Sequence, residues 1–225
     1  MLSNLKKKIH IFHNIYLKHK HFIKKKSYSM DGEDFFIVEY FRKKNNGFYI
    51  DVGCYHPIHR NNTYLLHNNG WSGINIDIHQ FSIDLFNYLR PDDINLNCAV
   101  SDTNGVTKMF YQKALSQLST IDEFQAKIAF QGNIKKSIIK SLTLDTILEK
   151  TKLTDKKIDL LDIDVEGADL RVLKGFTIEK FKPELICVEI HEKEIKSSGV
   201  YKYLSNFSYE LVWSGVFSHI FKSKS

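Results

Sequence analysis

The chain has 225 residues, 43% of them hydrophobic and only 3 proline, which fits one sizeable ordered domain and excludes a low-complexity protein. Its 3 cysteines, Cys54, Cys98 and Cys187, are widely spaced without a C-x-x-C pair, so no disulfide framework is expected and a reducing compartment is favoured. The net charge of +6 sits in an arm: residues 1–30 hold eight lysines and no acid, while the other 24 basic and 26 acidic residues leave the remainder at −2, which argues against a nucleic-acid surface on the domain.

In residues 1–26, Leu2, Leu5, Ile9, Phe12, Tyr16 and Ile23 recur at steps of three and four, with His19 in the missing slot. This predicts an amphipathic helix with a basic polar face. Three readings stand: contact with an anionic membrane surface, packing on the domain or on a second subunit of a homo-oligomer, or disorder. No run approaches the roughly 18 apolar residues of a spanning helix, and the start of the chain lacks the apolar core of a secretory leader. The expectation is a cytoplasmic protein, with peripheral contact at the inner face of the membrane under the first reading. The domain is expected over 27–225, after the arm of 1–26.

A polar link at 27–34 precedes a helix predicted over 35–41, ended by Asn45-Asn46-Gly47. Phe48, Tyr49, Ile50 and Val52 are the aromatic and β-branched types of a strand buried on both faces, and Asp51 and Gly53 close it. A helix capped by Asn61-Asn62-Thr63 follows, then a strand over 72–78, a helix over 81–89 and a strand over 94–100. Residues 105–111 read as a short extended piece and 112–141 as a loop or lid. A helix over 143–150, a strand over 158–165, a helix through Leu173, a strand over 184–190 and a helix with Tyr201 and Leu204 complete the alternation. Segments 209–213 and 216–221 flank Ser214-Gly215 as a closing hairpin. Alternating strands and helices predict a three-layer α/β domain with a mainly parallel sheet.

Each strand ends in polar groups: Asp51, Asp77, Asp102, Asp164 with Glu166, and Glu189 with His191. In open parallel sheets ligands bind outside the carboxyl ends of the strands, so these groups should converge on a small-molecule pocket, although any one of them alone reads equally as a helix cap. Gly53 permits a tight turn that lets backbone approach a ligand. Asp77 ends the second strand, where a nucleotide ribose is held through its hydroxyls. The turn after Gly53, Cys54-Tyr55-His56-Pro57, lacks the later glycines of G-x-G-x-x-G, so a pyrophosphate is disfavoured. S-adenosylmethionine has an adenosyl group and no phosphate.

Residues 48–53, Asn61-Asn62-Thr63-Tyr64, Gly70-Trp71-Ser72-Gly73-Ile74-Asn75-Ile76-Asp77, Arg90-Pro91, Thr143-Leu144-Asp145 and Ile163-Asp164-Val165-Glu166-Gly167 together resemble the FkbM family of S-adenosylmethionine-dependent methyltransferases. The link at 27–34 resembles the piece preceding the first strand in that family, and the likeness spans about residues 27–220. It implies a class I methyltransferase, Rossmann-like fold with a seven-stranded sheet, and methyl transfer to oxygen, commonly on sugars or small-molecule natural products. Tyr55-His56-Pro57 departs from the family's usual turn.

On that resemblance Asp51 and Gly53 shape the methionine end of the cofactor, Asp77 binds the ribose, and Ser101 and Asp102 lie near the adenine. Asn62 and Thr63 supply helix-start donors to the cofactor carboxylate, and Glu33 reaches the site from the link. Asp164, Glu166, Glu189 and His191 are the candidates for activating an acceptor hydroxyl, His191 for its ordinary pKa near neutrality. Mg²⁺ on the strand-end carboxylates is a further expectation, and His56 and His59 are alternative acceptor-facing groups. The favoured acceptor is a sugar of a bacterial surface polysaccharide or lipid-linked glycan. The alternatives are an NAD-dependent oxidoreductase and a non-catalytic module of the same fold.

Overall fold

The computed structural model describes residues 2–19 and 25–224. A first helix, α1 (Leu2–Phe12), continues into a π-helical turn (His13–Leu17). Then follow α2 (Glu33–Tyr40), β1 (Phe48–Val52), α3 (Tyr64–Asn68), β2 (Ser72–Asp77), α4 (Gln80–Leu89), β3 (Ile94–Asn97), β4 (Ala99–Val100) and β5 (Gly105–Tyr111). The second half holds α5 (Glu123–Ala129), β6 (Lys135–Leu142), α6 (Leu144–Thr151), β7 (Leu160–Ile163), α7 (Asp169–Lys174), α8 (Ile178–Phe181), β8 (Leu185–Glu189), α9 (Gly199–Asn206), β9 (Tyr209–Ser214) and β10 (Ser218–Ser223).

Seven strands form one sheet in the order β3-β2-β1-β7-β8-β10-β9. The first five are parallel, and β10 runs antiparallel to both β8 and β9. Period-2 alternation sends the residues of β1 to two cores. Phe48, Ile50 and Val52 join Leu161, Ile163 and Ile186 beneath the helices α6 to α9. Tyr49 points the other way, with Leu160, Leu185 and Trp71, against α2 and α3. The expected mixed α/β architecture, with helices on both faces and a closing antiparallel hairpin, is what the chain adopts. The chain winds outward through β2 and β3 on one side of β1 and through β7 and β8 on the other. The ends of β1 and β7 are therefore the switch point, where open sheets leave a crevice.

Two expectations fail. The strand read over 94–100 breaks at Cys98: Asn97 donates from Nδ2 to the Asp77 carbonyl at 2.9 Å, and Ala99–Val100 then pair with β6 in a separate three-stranded sheet, β4-β6-β5. The stretch 112–141 contains a helix, α5, and most of β6, an eight-residue strand paired antiparallel with β5. Much of β6 is exposed, so it lacks the apolar alternation that marks a half-buried strand.

The amino-terminal helix packs on the domain, but by a face that its main stripe does not mark. Ile11 and Ile15 are buried with Tyr28, Ile58 and Leu85. His10 stacks on Phe81 with ring centroids 4.3 Å apart, and Lys7 pairs with Asp84 at 2.7 Å. Leu5, Ile9, Phe12 and Tyr16 face outward. The side chain of Leu2, and Lys20, His21, Ile23 and Lys24, lie outside the described residues. No helix among the described residues is long and apolar enough to cross a membrane.

Ile15 is fully buried whereas Ile9 is more than half exposed. Ile15→Ala should therefore loosen the helix, with hydrogen exchange across 2–19 rising roughly 30-fold or more for a lost core contact of about 2 kcal/mol. Ile9→Ala should leave exchange there close to wild type.

Candidate active site

The loop from Gly53 to Thr63 is fixed by side chains at almost every step. Gly53 has φ of +87°, and a Cβ there would lie 1.7 Å from the carbonyl oxygen of Asp164. The glycine is required first by the close approach of the two strand ends, not by a ligand. Tyr55 donates its backbone N–H to Asp77 at 2.9 Å and accepts Ser82 Oγ at 2.6 Å. His56 is fully buried: its Nδ1 accepts the N–H groups of Ile58 and His59, and Nε2 donates to the Asn14 carbonyl at 3.2 Å. It braces the loop against the first helix and does not face an acceptor. The Pro57 carbonyl accepts from Arg90 Nη2.

Arg90 is fully buried and also donates to Asn61 Oδ1 at 2.7 Å and Thr63 Oγ1 at 2.9 Å. Asn61 Nδ2 and Thr63 Oγ1 in turn donate to Asp51 at 3.0 and 2.8 Å. Helix α3 begins only at Tyr64 and is five residues long, so no long helix opens directly on Gly53. That geometry offers nothing to a pyrophosphate.

Two clefts open at the switch point. The first is mainly apolar, with Ile76, Ile78, Cys98, Ala99 and Val100 on its walls and Asp77 and His79 as polar groups. The second is lined by six carboxyl residues, Asp31, Glu33, Asp51, Asp162, Asp164 and Glu189, with Asn61 and Asn62 and a single cation, Arg60. Gly53, Gln117 and Asp164 line both, so the ends of β1 and β7 form the ridge between them.

The family model described as the methyltransferase FkbM domain matches residues 51–211. The chain belongs to the FkbM methyltransferase family. The comparisons with curated proteins and with solved structures give no match. The seven-stranded sheet with its antiparallel end is consistent with the Rossmann-like methyltransferase fold, and family membership sets aside the oxidoreductase alternative.

The FkbM domain gathers most of the residues named from sequence around the two clefts. Asp77 lines the first cleft; Glu33, Asp51, Asn62 and Glu189 line the second; Gly53 and Asp164 line both. Thr63 lies beneath, bonded to Asp51 and Arg90, and lines neither. Ser101 and Asp102 are also outside the clefts. Because β4 left the main sheet, its end points elsewhere: Ser101 Oγ donates to Asp102, and Asp102 faces Arg171 at 3.6 Å. Cys98, Ala99 and Val100 line the first cleft instead.

Glu166 is buried at φ of +54°, and its carbonyl accepts Thr120 Oγ1 at 2.8 Å. Its carboxyl approaches Glu189 and His191: one ligand atom from each lies within 4.8 Å of the others. His191 pairs with Glu189 at 3.0 Å.

Sequence reasoning missed Asp162, Arg60, His79 and Asp169. Asp162 had a signal, since it lies two residues before Asp164 and so on the same sheet face, directly beside Asp51 in register. His79 is buried with Nε2 2.7 Å from Ser119 Oγ, a contact made across the chain and invisible in spacing. Asp169 accepts the N–H groups of Val165 and Gly167 and so holds the turn that carries Glu166.

Burial raises the Asp51 carboxyl to about 6 despite the help of Thr63, Arg90 and Asn61. Asp77 is raised to about 6 by burial as well. Asp162 rises to about 8, from burial and then from Asp51 beside it. Asp164 lies deep among protein atoms with its own surface open to the clefts. That depth, followed by Glu189 and Glu166, holds it well above the ordinary carboxyl range. Glu166 rises to about 8 through burial and then Glu189. His191 goes up to about 9, chiefly through its hydrogen bond to Glu189. At neutral pH it is mainly an imidazolium, which donates a proton more readily than it accepts one.

Asp162 binds a proton in the folded chain up to about pH 8 and in the unfolded chain only below 3.8. Its contribution to stability therefore falls as pH rises through that window. Asp162→Asn should be more stable than wild type at about pH 8 by roughly 1 kcal/mol or more, with the gap closing toward about pH 4, as read by urea denaturation.

Proposed function

We propose that this methyltransferase uses S-adenosylmethionine to methylate a sugar hydroxyl. The observation that carries the reading is the ridge of Gly53 and Asp164 between an apolar cleft ending in Asp77 and a cleft dense in carboxyl groups. The cofactor has a nucleoside at one end and a sulfonium and an ammonium at the other. The two clefts match that division: apolar walls suit an adenine, Asp77 suits ribose hydroxyls, and six carboxyl residues against one arginine suit positive charge. When bound, S-adenosylmethionine supplies an electrophilic methyl group on its sulfonium.

Cys98, Ala99, Val100 and Ile78 hold the adenine in this reading. Glu33, Asp51, Asn61 and Asn62 hold the methionine end, with Arg60 opposite its carboxylate. The acceptor enters beside Glu189 and His191. Asp164 takes the hydroxyl proton once the cofactor's positive charge beside it has lowered its raised pKa, and Glu166 and the Glu189–His191 pair orient the sugar. Phe217, 5.5 Å from the His191 ring and partly exposed, offers an aromatic face beside carboxylates, which suits a sugar's C–H face and hydroxyls. A surface polysaccharide or lipid-linked glycan is the substrate class that the reading favours.

A second reading places a divalent cation on Glu166, Glu189 and His191, whose ligand atoms converge. An imidazole in the set counts against Mg²⁺, which prefers oxygen ligands. Turnover unaffected by EDTA favours the first reading.

Calorimetry with S-adenosylmethionine tests the cofactor. Wild type should bind it, and Asp77→Asn should bind at least about tenfold more weakly through loss of charged hydrogen bonds to the ribose. Equal affinities would remove Asp77 from the site. With a glycan acceptor and labelled cofactor, Asp164→Asn should lower turnover by about a hundredfold or more.

A further inference from the structure

The first helix is apolar on two sides. Its inner side, Ile11 and Ile15, is buried on the domain. Its outer side carries Leu5, Ile9, Phe12 and Tyr16, exposed by 58%, 59%, 50% and 37%. Their spacing of four, three and four lines them along roughly 16 Å of helix. Tyr88 of α4, itself 51% exposed, sits with its ring 6.4 Å from that of Tyr16 and extends the patch onto the domain. At about 100° per residue, Lys6 and Lys8 fall on either side of the stripe while Lys7 falls opposite it. Lys7 is the one bound to Asp84; Lys6 and Lys8 are exposed and form no ion pair among the described residues.

We propose that this outer face docks on an anionic lipid surface, with Leu5, Ile9, Phe12 and Tyr16 entering the interface and Lys6 and Lys8 meeting the headgroups. Charge decides between this occupant and a second copy of the chain. Isologous pairing would set each stripe against itself and bring two arms of +8 together. An anionic surface meets the same lysines with opposite charge and offers the stripe an apolar layer of matching depth. The acid-lined cleft belongs to the remainder of the chain, which carries −2, so docking through the arm sets the attractive face apart from the repelled one.

The test is flotation of the full chain with vesicles of phosphatidylglycerol and phosphatidylcholine, against phosphatidylcholine alone. Wild type should partition to the anionic vesicles only. Lys6→Gln with Lys8→Gln should lower partitioning about 30-fold, and Ile9→Ser with Phe12→Ser should lower it at least as far. Both variants should keep wild-type hydrogen exchange across 2–19, which separates docking from loss of the helix. Failure of wild type to float, equal flotation on neutral vesicles, or variants that float like wild type would overturn the proposal. So would a concentration-dependent dimer in sedimentation that Ile9→Ser with Phe12→Ser abolishes, because a second copy would then own the face.

Discussion

The site depends on a buried guanidinium. Arg90 ends α4 with no surface exposed, and four acceptors surround it: Tyr49 Oη, Thr63 Oγ1, Asn61 Oδ1 and the Pro57 carbonyl. A buried cation without such partners costs several kcal/mol, so the surrounding chain has little freedom to move away from it. Asn61 and Thr63 relay the charge to Asp51, and Tyr49 relays it to Asp93, which also accepts the Gly73 N–H at 2.9 Å. One side chain thus ties β1, β2 and the loop after β1 together. The glycine-rich turn of a dinucleotide fold relies on a helix that opens at the turn; here a polar network supports the loop from below.

With the loop held, strand geometry concentrates acid. Asp51 and Asp162 stand side by side in register, and Asp164, just past the end of β7, lines the same cleft. Depth in the protein raises all three, Asp51 adds to the effect on Asp162 and Asp162 to that on Asp164, so Asp162 holds a proton at neutral pH. Such an arrangement opposes folding and is tolerated where a ligand relieves it. A cation relieves it best, because it lowers the same pKa values that crowding has raised. His191 performs a local version of this, giving Glu189 a permanent positive partner. On the reading that S-adenosylmethionine binds here, stability set aside in this way becomes selectivity for a positively charged ligand over an uncharged analogue.

Much of this was legible in the residues. The central strands of the main sheet are largely apolar runs, and acids at so many of their ends are more than single helix caps explain. That reasoning singled out Asp51, Asp77, Asp164 and Glu189, which line the clefts, and it singled out Gly53 for a different reason than the one that requires it. What escaped was long-range. The break at Cys98 follows from Asn97 bonding the Asp77 carbonyl and from Ser141 and Leu142 of β6, each 42 residues after its partner, pairing with Ala99 and Val100 of β4. Nothing near Cys98 encodes that, so Ser101 and Asp102 were assigned to an edge they do not reach. Arg90 reads as a helix end beside a proline, and its four partners come from β1 and from the loop after it.

The amino-terminal helix shows why a strong periodic stripe can point the wrong way. Apolar residues fall on two sides of it, and the longer outer stripe dominates the pattern. The inner side contributes only Ile11 and Ile15, but its polar neighbours also fit: Lys7 reaches Asp84, His10 stacks on Phe81, and the Asn14 carbonyl receives His56. Inverting the helix would lose all three contacts and would bury Lys6 or Lys8 without an acid to meet it. Specific polar partners therefore outweigh the larger apolar area in choosing the face that packs. The price is an exposed apolar stripe between lysines, and a helix with complementary needs on opposite sides is suited to join a folded domain to a second, negatively charged surface.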